Sequence, residues 1–440
     1  MLKRIGAPVD IPSVAIADAG FPAPFKTGLQ YSVPARGGWT IVHVGMLVPE
    51  AHEIFVCAAG CLRGVVLSAA EMNLADRFST VAIEEHNVID GDMEELFTEG
   101  VTDILNRLPA LPKAVLLYSS CIHHFMGCDL DMCFDELRSR FPTVDFTDCY
   151  MTPTMRNGRL NPDKMMRSRL YSLLREKPAD DSVVHLMGNC FSLPDSSDII
   201  RLINKSGRRT VQITDCNTYE QYQELASAGL LITTQAVANQ GAEELSERFH
   251  RTHIFLPISY DADEIRGRMS KLSEHLGCDY GGDHLAEAKA TDALERASEI
   301  IGDTPVAIDG TFTERPLSLA SLLLDHGFNV KTLFVDSFAE SDRRNFERLK
   351  TKRPDIQVYP TVDSAMRRFD RNNCGEYFAL GQKAAYFTGT SHFVNLIEDA
   401  GLYGFDGILR LAGMLEEAAL NEKDTESVIS VKGLGCESCI

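Results

Sequence analysis

The sequence predicts an α/β protein made of three doubly wound parallel-sheet domains. Two observations carry that class. The chain has 440 residues, too many for one ordinary hydrophobic core. Short β-rich runs also alternate with helical spacing in three successive rounds, each opened by a strand that ends in glycine. A third observation marks the edge where chemistry belongs. Two cysteine-bearing elements, residues 56–64 and 118–129, flank one complete strand-and-helix unit. Loops placed that way leave a parallel sheet at the same edge, where ligands collect. Cysteines about sixty residues apart in the chain are therefore expected to meet in space.

Residues 1–37 are rich in Pro, Gly and Ala without periodicity and read as an arm lying on the body of the protein or on a partner subunit. The first domain is expected over 38–180. Residues 39–45 form its opening strand, β-branched and closed by Gly45; the Cys57/Cys61 element follows as a loop, and 65–73 as a helix. Residues 80–83 are a short strand, 90–92 a turn, and 93–108 a helix with apolar residues at Leu96, Val101, Ile104, Leu105 and Leu108. Residues 113–119 make the clearest buried strand, delivering Cys121 to its C-terminal end.

The second domain, 181–303, reads as strand 182–188, helix 196–205, strand 209–213, helix 219–227 and strand 229–234. Helices 242–249 and 261–276 complete it. The third, 304–425, runs as strand 306–310, helix 316–326, strand 330–335 and charged helix 339–350. Runs at 377–380 and 384–387 continue the alternation before a closing helix over 405–420. The tail, 426–440, falls outside the pattern and ends in Cys436-Glu437-Ser438-Cys439-Ile440.

Composition narrows the class of function. A hydrophobic fraction of 44% with 24% charged residues belongs to a soluble globular protein. There is no apolar run of membrane-spanning length, and Met1-Leu2-Lys3-Arg4 leads into Gly, Pro and Asp rather than a secretory core, so a cytoplasmic protein is expected. A formal charge of −20 argues against nonspecific nucleic-acid binding, which needs a cationic face.

Twelve cysteines are many for a reducing compartment, where clustered thiols mean metal or redox chemistry more often than disulfides. Cys149, Cys190, Cys216, Cys278 and Cys374 stand singly and read as small buried hydrophobes. Cys57, Cys61, Cys121 and Cys128 are the candidate ligand set: four soft sulfur donors complete an iron–sulfur cubane. Four thiolates also make a closed zinc site. The Cys-x-x-x-Cys and Cys-x6-Cys spacings fit no standard zinc module, and residue types alone leave both metals open. His123-His124 beside Cys121 either serves the site or is a satisfied polar pair at a helix start. Cys436 and Cys439 are either a mobile dithiol or a tail without a role.

The order of motifs resembles a known family. A Gly-Cys loop (Gly60-Cys61) is followed by an acidic element (Glu84-Glu85 to Asp90-Gly91), a strand ending Ser119-Ser120-Cys121, and Gly127-x-Asp129. Tyr403-Gly404-Phe405-Asp406-Gly407 leads into a helix near the C-terminus. Over roughly 38–420 this is similar to the nitrogenase component 1 superfamily. That group includes the nitrogenase molybdenum–iron protein subunits, their assembly scaffolds, dark-operative protochlorophyllide reductase and the reductive cyclase of coenzyme F430 synthesis.

The resemblance implies three α/β domains around a central cleft, with a [4Fe–4S] or related cluster held at a subunit interface by first-domain cysteines. It also implies a sister subunit or a second copy as partner. An ATP-dependent iron–sulfur reductase, like the nitrogenase iron protein, would deliver the electrons. Cys61 and Cys121 fall on two of the family's ligand positions.

The departures are informative. No cysteine precedes Cys57, so either Cys57 takes the role of the family's upstream ligand or a partner chain supplies one. Thr234 stands at the position of the family's cofactor cysteine and Val394 near that of its histidine, with His392 two residues off as the nearest candidate to contact a cofactor. Thr is a poor ligand for a sulfide-bridged cluster, which argues against dinitrogen reduction. The expectation is a nitrogenase-like reductase subunit acting on a cleft-bound substrate, such as a tetrapyrrole, or on a further metallocluster. A scaffold for cluster assembly and a non-catalytic partner subunit are the alternatives.

Overall fold

The computed structural model describes residues 10–26, 28–31, 33–35, 38–152, 161–282, 284–371 and 375–425. The tail cysteines Cys436 and Cys439, and Cys374, lie outside the described residues. The described residues group into two compact units, one formed by those of 39–192 with 207–257, the other by those before 39 with 193–206 and those of 258–425.

The arm contributes β1 (Val14–Ala15), which pairs antiparallel with a strand of the third sheet. The first sheet follows α1 (Ile41–Gly45). It runs β2 (Ala51–Ala58), α2 (Ala59–Glu71), β3 (Phe78–Ile83), α3 (Glu85–Asp90), α4 (Met93–Arg107), β4 (Ala114–Ser120), α5 (Cys121–Met126), α6 (Leu130–Arg140) and β5 (Asp145–Met151). Its order is β3-β2-β4-β5, all parallel. Side chains alternate across it as strand pleating requires. Ile54, Val56, Val115 and Leu117 pack under Phe97, Val101 and Leu137 on one face. Phe55, Cys57, Leu116 and Tyr118 face Val42, Val44 and Met166 on the other.

The second sheet is reached through α7 (Pro162–Arg169). Its elements are β6 (Asp180–Met187), α8 (Asp198–Lys205), β7 (Arg209–Gln212), α9 (Tyr219–Glu224), β8 (Ala228–Thr233), α10 (Asn239–Phe249) and β9 (Thr252–Phe255), in the parallel order β7-β6-β8-β9. Helices α11 (Ala262–Leu276) and α12 (His284–Ile301) lead to the third sheet. That sheet comprises β10 (Pro305–Asp309), α13 (Pro316–Asp325), β11 (Asn329–Phe334), α14 (Arg343–Lys352), β12 (Gln357–Tyr359), β13 (Phe378–Leu380), α15 (Gln382–Thr388) and β14 (Phe393–Val394), closed by α16 (Gly404–Leu420). Its order is β1-β12-β11-β10-β13-β14. The protein is thus an α/β chain of parallel sheets, as expected.

Three local readings are corrected, the first being that Cys57 stands inside β2 rather than in a loop. Residues 39–45 are not a strand: Ile41–Gly45 is helical, its start held by Thr40, whose backbone N–H donates to His43 Nδ1 at 3.0 Å. Residues 384–387 belong to α15 rather than to a strand. Asp309, fully buried at the end of β10, accepts from Ala384 N at 2.8 Å and also from Thr311 N at 2.8 Å. The neighbouring Gly381 has φ +103°, and a Cβ there would stand 2.2 Å from Asp309 Oδ2, so the turn into α15 admits only glycine.

Candidate iron–sulfur site

The first sheet delivers three cysteines to its C-terminal edge. Cys57 is the penultimate residue of β2 and 1% exposed. Cys61 is the third residue of α2 and exposed, and Cys121 opens α5, half-buried. β2 and β4 are parallel neighbours with Phe55 opposite Tyr118, so the chain leaves both strands side by side. The Cys57 thiol is pushed up to about 12, first by burial and then by the sulfurs of Cys61 and Cys121. Cys57, Cys61 and Cys121 thus lie at the C-terminal ends of two paired strands, on one edge of the sheet.

Backbone geometry suits an anion there. The N-cap of α2 is Ala58, which offers no side-chain acceptor, and its first turn has no acidic residue. The orphan N–H groups and positive end of this thirteen-residue helix begin two residues past Cys57, and Cys61 stands in its first turn.

Cys128 is placed elsewhere. It packs against the other face of the sheet, the side of Ile54 and Val56, whereas Cys57 lies with Phe55 and Tyr118. Burial raises its thiol to about 11, with further upward pushes from Glu94 and Cys133. His123 is 1% exposed and turned inward. Its Nδ1 accepts from Ser120 N at 3.1 Å, and its ring meets Phe97 edge-on at 5.3 Å. His124 is exposed.

A residue the sequence reading passed over lies beneath Cys57. Glu53 is buried on the same face of β2, 3.2 Å from the Tyr118 hydroxyl, and burial raises its carboxyl well above the usual range. Its spacing of four from Cys57 on a period-two strand was the available signal. Gly45 is required beside it, because a Cβ there would come within 2.0 Å of Glu53 Oε1.

The donor set tests which metal group fits. Among the described residues no three His, Cys, Asp or Glu side chains gather around a single-ion position. Three soft thiols without an accompanying histidine or carboxylate suit three ligands of an iron–sulfur cluster, whereas a closed structural zinc site needs four ligands around one ion.

The other candidate positions are distributed over different edges. Thr234, just past β8, is buried and donates its hydroxyl to Asn189 Oδ1 at 2.8 Å. Val394 is buried in β14. His392 precedes β14, at the N-terminal edge of the third sheet, with Nδ1 3.0 Å from the Ala418 carbonyl. It lines a cavity of about 490 Å³ with Thr304, Glu376, Tyr377, Thr390 and Glu422. Thr304 and Tyr377 likewise precede their strands, so this cavity opens at the end of the sheet opposite Gly310 and Gly381.

Parallel sheets with a cysteine-bearing edge define a doubly wound α/β protein. The chain belongs to the nitrogenase component 1 type oxidoreductase family, whose model matches residues 41–418. Among solved structures it is similar to nitrogenase Cp1 at pH 6.5, with 14% identity, a TM-score of 0.65 and coverage of 90% of this chain and 94% of that one. Nitrogenase Cp1 at pH 5 is 12% identical with a TM-score of 0.56, covering 92% and 94%. At such identities the likeness is one of fold. A comparison with curated proteins gave no match. Among the described residues no helix is long and apolar enough to cross a membrane.

Proposed function

We propose that this chain is a nitrogenase-like reductase subunit that takes low-potential electrons singly from an ATP-dependent iron–sulfur reductase and passes them to a substrate. Cys57, Cys61 and Cys121 hold a [4Fe–4S]-type cluster, and a sister subunit or second copy supplies the fourth ligand. The observation that carries this reading is that the neighbouring parallel strands β2 and β4, with the helices that follow them, bring Cys57, Cys61 and Cys121 to one C-terminal sheet edge. Cys128, seated on the opposite face of the sheet, leaves the fourth position to a partner. Exposed Phe125 and Met126, 71% and 46% accessible, flank Cys121 with apolar surface suited to a covering subunit.

A bound cluster supplies one-electron chemistry at low potential. The chain's own residues set the conditions for it. Burial of Cys57 under Phe55 and Tyr118 excludes water from one side, while the N-terminus of α2 stabilises negative charge. The substrate is taken directly, as a tetrapyrrole would be, or is a metallocluster held by residues other than Thr234 and Val394.

Iron and acid-labile sulfide content with EPR on anaerobically purified protein tests the assignment. A dithionite-reduced cluster signal is expected, lost in Cys61→Ala and Cys121→Ala. Iron unchanged in both variants would sink it. One observation favours a second reading, a scaffold on which a cluster is built and handed on: neither Thr234 nor Val394 offers sulfur or nitrogen to anchor a resident cofactor. Transfer of iron to an apo-acceptor without substrate turnover would select that reading.

A further inference from the structure

Two cysteines of the second sheet are left unused by the iron–sulfur reading. Cys190 lies three residues past β6, and Cys216 directly follows the 3₁₀ turn Ile213–Asp215 at the end of β7, the parallel neighbour of β6. The two loops are tied together: Ser192 Oγ lies 2.8 Å from Thr214 Oγ1 and 2.6 Å from Asp215 Oδ1. Both cysteines pack on the apolar cluster that holds Tyr171, whose hydroxyl accepts the Gly188 N–H at 2.7 Å. Each is a thiol rather than part of a disulfide.

Their settings differ in a useful way. Cys190 is 3% exposed, and its sulfur lies 3.0 Å from a guanidinium nitrogen of Arg167, itself 1% exposed. That guanidinium also donates to Gly188 O at 2.6 Å. Arg stays charged when buried, and a cation held against sulfur favours the thiolate, the nucleophilic form. Cys216 is half-buried, and its thiol is pushed up to about 11 by burial and then by Asp215, so it stays protonated until an activated sulfur comes within reach.

We propose that Cys190 and Cys216 form a peroxide-responsive thiol–disulfide switch, independent of the iron–sulfur site. The Cys190 thiolate attacks one oxygen of hydrogen peroxide. An S–O bond forms, the O–O bond breaks, and the departing hydroxide takes a proton to become water. The Cys216 sulfur then attacks the Cys190 sulfenic acid; an S–S bond forms, the S–O bond breaks, and the thiol proton leaves with hydroxide as a second water. Two thiols and one peroxide give one disulfide and two waters. Because Cys190 is 3% exposed, the reaction requires local opening of its loop to admit peroxide, which is little larger than water. The disulfide takes from Arg167 its contact with the thiolate, so the oxidised form is easily reduced, as regulatory disulfides are. It also staples the loop in which Asn189 holds Thr234.

The test uses anaerobically purified protein exposed to graded hydrogen peroxide, alkylated with N-ethylmaleimide and digested without reduction. A cross-linked Cys190–Cys216 peptide pair should grow with dose and vanish on treatment with dithiothreitol. In Cys216→Ser, Cys190 should instead be recovered as sulfenic or sulfinic acid. Arg167→Lys, which keeps charge but loses the planar fork, should shift the pH profile of cross-linking upward. Recovery of Cys190 as the maleimide adduct throughout the series, or linked to another cysteine, overturns the proposal.

Discussion

The carboxylate of Asp198 holds the backbone of the Gly404-Phe405-Asp406 turn at the start of α16. Asp198 Oδ2 accepts from Asp406 N at 3.1 Å, and a Cβ at Gly404 would stand 2.2 Å from that same oxygen. Gly404 has φ +67°, so both backbone and space require glycine. The Gly-Phe-Asp-Gly motif, which helped identify the family, therefore has a structural reason: it seats a helix N-terminus on a buried acid from α8. Gly404→Ala should cost about 2–4 kcal/mol, combining left-handed strain with loss of the cap. Asp198→Ala should cost about 1–2 kcal/mol, and the double variant should fall short of the sum. Urea denaturation checks this; full additivity would mean the two groups do not act through one contact.

The placement of Cys128 yields a separation among the four candidate cysteines. Cys57→Ala, Cys61→Ala and Cys121→Ala should each lose most bound iron with far-UV circular dichroism nearly unchanged. Cys128→Ala should keep it, because its sulfur packs beside Glu94 and Cys133. Loss of iron in Cys128→Ala equal to that in Cys61→Ala would return Cys128 to the ligand set.

How much of this was legible depended on whether the forces involved were local. Residues 114–118 read as strand because both faces of β4 are buried, which leaves an unbroken apolar run. β2 did not, because His52 and Glu53 interrupt its run. Their burial is stabilised by Ser79, 2.8 Å from His52 Nε2, and by Tyr118, partners distant in sequence. Cys57 was consequently assigned to a loop, although it stands inside a strand. α15 was hidden for the same reason: its N-terminus is held by Asp309, 75 residues upstream of Ala384. The cysteines themselves were visible as a set. That one of the four would face the other side of the sheet depends on the Gly127 turn and the seat beside Glu94, which no spacing rule expresses.

His392 was the nearest sequence candidate for a cofactor contact, and the structure places it at the N-terminal edge of the third sheet. His392→Ala should leave iron content and electron transfer unchanged and cost about 1 kcal/mol through its lost bond to the Ala418 carbonyl. A fall in activity at constant stability would show that this edge takes part in the reaction.

The buried pair of Arg315 and Asp342 anchors the start of α13. Arg315 Nε lies 2.8 Å from Asp342 Oδ1, Leu317 N donates to Oδ2 at 2.9 Å, and both side chains are essentially inaccessible. Removing Asp342 leaves the buried Arg315 guanidinium with only the longer contact to Glu264 Oε2, at 3.4 Å, as counter-charge in a low-dielectric site. Asp342→Ala should therefore cost about 3–5 kcal/mol. Replacing both residues by apolar ones of similar volume should restore much of that. Denaturation midpoints of the three proteins decide it; a double replacement as unstable as the single one would mean that shape, rather than the stranded charge, sets the cost.

His185 predicts a pH dependence with a definite sign. It is fully buried on β6, its ring meets Tyr171 edge-on at 5.4 Å, and neither ring nitrogen has a hydrogen-bond partner among the described residues. Burial alone pushes its pKa from 6.5 down to about 3. Between those values the unfolded chain holds a proton that the folded chain does not, so stability rises with pH there. The contribution is complete above about pH 6.5 and is lost progressively on acidification, reaching on the order of 4 kcal/mol near pH 3. His185→Phe removes the titrating group. The stability of the variant relative to the parent should therefore increase as the pH falls from 7.5 to 5. At pH 7.5 it should be equal or higher, since two unsatisfied polar atoms are gone, a gain of about 1–3 kcal/mol before any packing misfit. Urea midpoints across that pH range measure the difference directly, and parallel curves for the two proteins would mean that His185 finds a partner for its proton.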